Sequence, residues 1–339
     1  MDKPNKKEVP QLHTITVSFK PDKEQRETIS RIFAGNDLTF LTDYADKEQR
    51  SDQLDNTELL IAWNPNNELD DLDRRHLENI KFVQLISAGY DHLRFEMFNP
   101  ACQIAANQGA YALPMAEHVL AMLLERGKKL RYYHDLLAAG KFEQWRNVTK
   151  QITGSTLGIV GFGSIGKETA RLMRPFELKI LALNTTGNTD QRVDFCGTLK
   201  DLDYVLANSD FILLSLPLDR GTEGLIGRRE LEIMKPVGIL VNVARGAIVQ
   251  QKALYEHLKS HPYFSACIDA WWVEPFRQGE FRVDYPFFEL PNLLGSPHNS
   301  ALVDGIMLQG VARAAENAAG FLRNGNANGL VHRPNNSAR

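Results

Sequence analysis

Apolar and polar positions along the chain predict alternating strands and helices throughout. Short apolar runs over 14–18, 38–41, 59–63, 82–87 and 103–106 read as strands, separated by polar stretches with helical spacing. After Gly109 the period lengthens. Met115, Val119, Leu120, Met122, Leu123 and Leu124 fall on or near one face, which predicts a helix over about 113–131. From Thr156 the alternation resumes, with strands at 157–160, 179–183, 211–214, 239–243, 265–268 and 293–295. Runs such as Phe211-Ile-Leu-Leu214 are what a parallel sheet covered on both faces requires. A last helical pattern over 300–322 follows the final strand and is expected to cross back to the first domain. This organisation predicts a discontinuous domain of residues 1–109 and 301–339, a second of residues 110–300, and a cleft between them.

One strand of the second half runs straight into glycines. Thr156-Leu-Gly-Ile-Val-Gly-Phe-Gly-Ser-Ile-Gly166 has glycines at 161, 163 and 166, and a helix-period run follows through Thr169, Leu172, Met173 and Phe176. Strand, G-x-G-x-x-G and helix in that order is the dinucleotide fingerprint in its required context. Gly161 permits the tight turn, Gly163 lets main chain approach a pyrophosphate, and Gly166 lets helix and strand pack closely. The amides of Gly163, Ser164 and Ile165 then face an anion at a positive helix end. A turn made by chance glycines would not need both flanking elements. The chain is therefore expected to bind a nucleotide cofactor.

Composition narrows the partners. At 339 residues the chain suits two domains, with 43% hydrophobic and 24% charged residues as in ordinary globular proteins. A net charge of -3 argues against nucleic acid or an anionic membrane surface, both of which need a basic field. Cys102, Cys196 and Cys267 are odd in number and widely spaced, offering neither a disulfide framework nor paired zinc ligands. No metal is expected. The polar start and the absence of a run near ~20 apolar residues point to a cytoplasmic protein. Residues 324–339, rich in Asn, Gly and Arg, are expected to fray.

Three residues at predicted strand ends could do chemistry, because open α/β sheets place ligands there. Arg245 follows 239–244, and a guanidinium can hold a carboxylate through two parallel hydrogen bonds. Glu274-Pro275 closes the segment from Cys267, and His298 lies just past the last strand in Gly295-Ser-Pro-His-Asn-Ser300. A lone histidine is more often structural, and this chain has nine. An imidazole near a carboxylate at adjacent strand ends is a different case. The ring transfers protons near neutral pH, and the carboxylate favours its charged form and fixes its tautomer.

On these motifs the chain resembles the D-isomer-specific 2-hydroxyacid dehydrogenases from about Leu59 to Leu322. The block 242–249 is similar to the family's arginine motif, Asp269 to Pro275 to its acidic motif, and Ser296-Pro-His298 to its histidine motif. Ser87-Ala-Gly-Tyr-Asp91 resembles the substrate-carboxylate loop. Asn107-Gln-Gly109 with Ala116-Glu-His118 resembles the entry to the nucleotide domain, and Gly140 and Trp145 also fall at family positions. The resemblance implies an α/β fold of two domains: a Rossmann-type doubly wound parallel sheet and a smaller flavodoxin-like α/β substrate domain. It implies that Arg245, with Ala88, Gly89 and Tyr90, holds the carboxylate of a small 2-oxo acid such as glyoxylate or hydroxypyruvate. His298 would act as general acid/base, paired with Glu274. Leu216, Pro217, Thr222, Val243 and Ala244 would line the cofactor groove, and Asp269 would hold the nicotinamide carboxamide. The family also implies a homodimer, built on the long helix near 115–131.

Some positions depart from the family. Ser215 stands where the fourth strand usually ends in His, Gln250-Gln251 replaces an acidic pair, and Trp271-Trp272 is bulkier than usual. Core packing is favoured for these tryptophans over a substrate contact. The acid that normally bonds the cofactor ribose about 20 residues past the first glycine is replaced by Asn184, followed by Thr185. That removes the repulsion of a 2′-phosphate, so NAD(H) or NADP(H) is expected with a lean to NADP(H). Other readings on the same scaffold are a dinucleotide-sensing co-repressor and a phosphoglycerate dehydrogenase. Glu274 argues against formate oxidation, whose enzymes carry Gln beside the histidine.

Overall fold

The computed structural model describes residues 12–145 and 149–332. The chain divides into two compact units, one running up to Ala110 and resuming at Asp304, the other Tyr111–Val303.

In the first unit β1 (Thr14–Val17), β2 (Asp37–Phe40), β3 (Leu59–Ala62), β4 (Phe82–Leu85), β5 (Gln103–Ala105) and β13 (Leu330–His332) form one sheet. Their order is β13-β5-β4-β3-β1-β2, parallel except for β13 against β5. Without β13 this is the flavodoxin-like order, whose switch point lies between β1 and β3. All four residues of β3 and of β4 are buried, as strands covered on both faces must be. On one face the helices Lys23–Ile32 and Ile306–Asn324 pack through Ile29, Val311, Ala314, Ala315 and Ala318. Leu54, Leu69, Leu77 and Phe98 cover the other face.

The second unit holds seven parallel strands: β6 (Thr156–Val160), β7 (Lys179–Leu183), β8 (Phe195–Gly197), β9 (Phe211–Leu214), β10 (Ile239–Asn242), β11 (Ser265–Ile268) and β12 (Leu293–Gly295). They run in the order β12-β11-β10-β9-β6-β7-β8. This is the doubly wound dinucleotide-binding order with one strand added, and its switch point lies between β6 and β9. Val119, Met122, Leu123 and Ala170 bring two helices onto one face, while Leu202, Val205, Leu231, Leu254 and Leu258 cover the other.

Several expectations are corrected. The long helix spans Ala112–Lys128, ended by a left-handed Lys129 (φ 52°), and Leu130–Ala138 forms a separate helix. Val119, Met122 and Leu123 are buried against the helix Ser164–Leu172 and the sheet, and Met115, Leu120 and Leu124 are partly buried on the same core. The last helix starts at Ile306 rather than near 300, because main-chain bonds of Ser300 and Leu302 hold the preceding residues in a loop. β8 and β13 were not foreseen. Residues 324–332 do not fray: β13 pairs with β5, and the Asn328 amide donates to Asn317 Oδ1 at 2.8 Å. The remainder of that expectation, 333–339, lies outside the described residues. Among the described residues no helix is long and apolar enough to cross a membrane.

Candidate active site

The fingerprint glycines sit at the switch point of the second sheet. Gly161 follows β6 with φ +101°, and a Cβ there would lie 2.6 Å from Leu216 N, just past β9. Only glycine allows that approach of two main chains. The Ser215 hydroxyl, standing where the family has His, donates to Gly161 O at 2.9 Å and ties the same two strand ends. Gly166 is also tight, its virtual Cβ 2.8 Å from Ile159 Cγ2 and 2.9 Å from Gly161 O. Gly163 differs. It has ordinary dihedrals, and a Cβ would meet nothing within 4 Å. It heads the nine-residue helix Ser164–Leu172, which has no side-chain cap.

At the end of β7 Asn184 folds its own loop. Its Oδ1 accepts from the amides of Thr186 and Gly187 at 3.0 and 2.7 Å, and its Nδ2 donates to Asn188 O at 2.7 Å. Thr185 and Arg192 are exposed. Lys167, a residue that sequence reasoning passed over, pairs with Asp190 of this loop at 3.3 Å. The side chains of Leu216, Thr222, Val243 and Ala244 are buried, and Thr222 Oγ1 donates to Pro217 O at 2.8 Å. That leaves main chain rather than side chains at these positions to meet a ligand.

The other candidates stand at three neighbouring strand ends. Arg245 follows β10, with Nη1 donating to Ala244 O at 2.7 Å. The next residue, Gly246, presses its main chain on Trp271–Trp272, where a Cβ would be 2.3 Å from Trp271 C. Glu274 and His298, after β11 and β12, are brought together: His298 Nδ1 donates to Glu274 Oε1 at 2.7 Å. That oxygen also accepts from Trp271 N at 2.8 Å, and Glu274 is 4% exposed, so the carboxylate is fixed. Phe276 meets the His298 ring edge to face at 5.2 Å.

His298 has φ +52°, a left-handed conformation that costs a non-glycine residue about 1–2 kcal/mol. Asp269 imposes it. Its main-chain oxygen accepts the His298 amide at 3.0 Å, and its Oδ1 accepts from Ser296 Oγ at 2.6 Å and Asn299 N at 3.1 Å. Its Oδ2 accepts from Ser300 N at 3.3 Å. Ser296 Oγ, having given its proton to Asp269, accepts from His118 Nε2 at 3.0 Å, and Trp271 Nε1 donates to Ser296 O at 2.7 Å. Asp269 is fully buried, so its main observed work is to fold the histidine loop.

Both tryptophans pack in the core. Trp272 stacks on Phe287 at 5.3 Å, and Trp271 is 5% exposed. Burial raises all three cysteine thiols, Cys102 to about 12, so none offers a thiolate. Among the described residues no group of three or more His, Cys, Asp or Glu is placed to hold a metal.

A nicotinamide dinucleotide fits these residues. The open side of Gly163 and the uncapped helix end would form a cradle for a pyrophosphate. At the far end Ser300 Oγ is buried with no partner among the described residues, beside Asp269, and a carboxamide would satisfy it. Sequence reasoning missed Ser300, whose only signal was its place two residues after the histidine.

The substrate-loop candidates lie in the first unit, after β4. Ala88, Gly89 and Tyr90 are half-buried, with Ser87 Oγ donating to Gly89 O at 2.9 Å and the Asn107 amide to Ser87 O at 2.9 Å.

The family model described as D-isomer specific 2-hydroxyacid dehydrogenase, NAD binding domain, matches residues 120–300. The chain is 30% identical over 225 residues to a D-3-phosphoglycerate dehydrogenase of Archaeoglobus fulgidus, covering 66% of this chain but 42% of that protein. It thus spans less than half the length of that relative. It is 30% identical over 226 residues to a hydroxypyruvate reductase of Thermotoga maritima, covering 66% of this chain and 72% of the relative. A solved D-isomer specific 2-hydroxyacid dehydrogenase from Xanthobacter autotrophicus Py2, in complex with NADPH and MES, has the same fold. Its TM-score is 0.77 at 20% identity, over 96% of this chain and 99% of that one.

Proposed function

This chain belongs to the D-isomer specific 2-hydroxyacid dehydrogenase family, and from that premise we propose that it is a cytoplasmic NAD(P)-dependent reductase of small 2-oxo acids. The observation that carries the reading is the fixed His298–Glu274 pair, at strand ends beside a cradle that fits a dinucleotide. The dinucleotide supplies the hydride for the ketone carbon. His298 Nε2 gives the proton to the ketone oxygen, or takes it back in the reverse direction. Glu274 holds Nδ1, so Nε2 is the nitrogen left for the acid, and its charge offsets that of the doubly protonated ring. Arg245 holds the substrate carboxylate and polarises the ketone, and the loop of Ala88, Gly89 and Tyr90 supplies further carboxylate contacts. Asp269 and Ser300 would hold the carboxamide, Gly161 to Gly166 the pyrophosphate, and Asn184 and Thr185 the ribose, with main chain near Leu216, Pro217, Thr222, Val243 and Ala244 lining the groove.

NADP(H) is slightly favoured because Asn184 carries no charge to repel a 2′-phosphate, while Lys167 supplies a cation tied to the same loop. A homodimer completes the reading. The test is loss of reduced-nicotinamide absorbance with glyoxylate, hydroxypyruvate, pyruvate, phosphohydroxypyruvate and bulkier 2-oxo acids, each with NADH and NADPH. Turnover should fall about 10²–10⁴-fold in His298→Ala, the usual contribution of a placed proton donor. A parent protein that oxidises neither cofactor with any acid refutes the reading.

A further inference from the structure

Glu68 has no part in the chemistry above, yet its carboxylate accepts from three residues drawn from two different strand ends. It ends the short helix Pro65–Glu68 and lies at the switch point of the flavodoxin-like sheet, where open α/β sheets take their ligands. Its Oε2 accepts from Ser18 Oγ, just past β1, at 2.6 Å. Its Oε1 accepts from the amides of Trp63 and Asn64, just past β3, at 3.1 and 2.6 Å. One side chain therefore joins the two strand ends that flank the switch point. Burial raises its pKa against the pull of these donors, so the carboxylate is held where water would solvate it better.

The segment that Glu68 clamps in turn grips the next strand's loop. The Ser87 hydroxyl, after β4, lies 3.4 Å from Trp63 O and 2.9 Å from Gly89 O, sharing its proton between them. On the far side of that loop Asn66 Nδ2 donates to His92 O, and Asn66 Oδ1 accepts from Arg94 N at 3.4 Å. Residues 63–68 thus hold both ends of 87–94, the stretch containing Ala88 and Gly89. The short helix has only four residues and could not keep this position alone.

We propose that Glu68 is a positioning residue for substrate: by joining the ends of β1 and β3 it sets the Ser87–Gly89 loop that grips the carboxylate of the 2-oxo acid. This rests on the functional reading above. It separates Glu68 from His298, because a loop that binds carboxylate acts mainly on affinity for the acid.

The experiment compares Glu68→Leu, Glu68→Gln and Ser87→Ala with the parent by steady-state kinetics, dinucleotide binding and thermal melting. Leucine leaves the Trp63 and Asn64 amides without an acceptor. It should raise KM for the best oxo acid by about tenfold or more, from loss of a buried acceptor. Turnover at saturation should stay within about threefold and dinucleotide affinity should not change. Glutamine keeps an acceptor oxygen and a polar group for Ser18, so it should restore most of the KM. Ser87→Ala removes a hydroxyl at a half-buried site and should raise KM in the same direction even if Glu68→Leu does not fold. A folded Glu68→Leu protein with parental KM overturns the proposal. So does an equal loss of turnover and dinucleotide binding, which would mark general damage, or a parental KM in Ser87→Ala. A parent that turns over no oxo acid brings down the functional reading and this inference together; an active parent with unmoved variants refutes only the inference.

Discussion

The three fingerprint glycines are not equivalent, and this allows the cofactor cradle to be tested apart from the fold. In Gly163→Ala the new methyl points into open space at ordinary dihedrals. Reduced freedom of the unfolded chain favours the variant by about 0.4–1 kcal/mol. Loss of glycine at the helix N-cap opposes it by a similar amount, so net stability should move by less than about 1 kcal/mol. In Gly161→Ala the methyl meets Leu216 N at 2.6 Å and the residue must hold φ +101°. Left-handed strain of about 1–2 kcal/mol adds to about 1–3 kcal/mol of overpacking, a loss of about 2–5 kcal/mol. Binding should rank the other way relative to stability. If a pyrophosphate lies on the open side of Gly163, the methyl displaces it from the helix amides. Each charge-assisted bond lost is worth about 1.5–3 kcal/mol, or about 10- to 150-fold in Kd. Thermal melts and calorimetric titration of both variants with NADH and NADPH measure the two axes. A Gly163→Ala protein that melts normally and binds dinucleotide as tightly as the parent refutes the cradle; a Gly161→Ala protein of parental stability refutes the close approach.

Three further outcomes are expected. Arg245→Lys should keep the fold but lose about 30- to 1,000-fold in kcat/KM, since lysine lacks the planar fork worth about 2–4 kcal/mol to a carboxylate; near-normal turnover on every accepted acid removes the anchoring role. Asn184→Asp keeps the acceptor for Thr186 and Gly187 but adds a charge, and should move the kcat/KM ratio toward NADH by about tenfold, about 1.4 kcal/mol of like-charge repulsion; a parent that already rejects NADPH a hundredfold contradicts this reading. Burial, and then the stacked His261 ring at 4.1 Å, lower the pKa of His257 to about 4, and Nε2 has no partner among the described residues. The unfolded chain therefore takes up this proton first, and stability present at neutral pH should be lost as pH falls from about 6.5 to about 4, by about 3 kcal/mol in all. Denaturant titrations of parent and His257→Phe across that range should diverge at low pH, and parallel curves would exclude the buried ring as the cause.

The fold was legible wherever burial was complete. Leu59–Ala62 and Phe211–Leu214 are buried at every position and are unbroken apolar runs, and Phe82–Leu85 is interrupted only by Gln84, whose buried amide bonds Leu85 O and Asn317. The short edge strand Phe195–Gly197 is only partly buried and carries no such run, while Leu330–His332 exists because β5 offers an edge across 225 residues of chain. Periodicity cannot report a partner so far away. The break at Lys129 was hidden for another reason. Only charged residues and Gly127 lie between Leu124 and Leu130, as on any solvated helix end, and a left-handed lysine has no compositional signature.

In the site, position along a strand was informative and local bonding was not. Glu274 and His298 each follow a strand, and neighbouring parallel strands bring their ends together, so their nearness could be read from order while the pairing itself came from the family resemblance. Asp269 follows the strand beside β10 and β12 just as plainly, yet its carboxylate is turned inward on Ser296, Asn299 and Ser300. That such an acid also folds a loop is not visible in sequence. What reveals it is geometry: a histidine held left-handed needs several bonds to outweigh about 1–2 kcal/mol of strain, and Asp269 supplies them through both its main chain and its side chain. Through Ser296 the same carboxylate reaches His118 on the helix Ala112–Lys128, which lies 178 residues from Ser296 in sequence. The His298 imidazole is therefore placed by two carboxylates with different tasks. Glu274 orients the ring, and Asp269 orients the backbone that carries it.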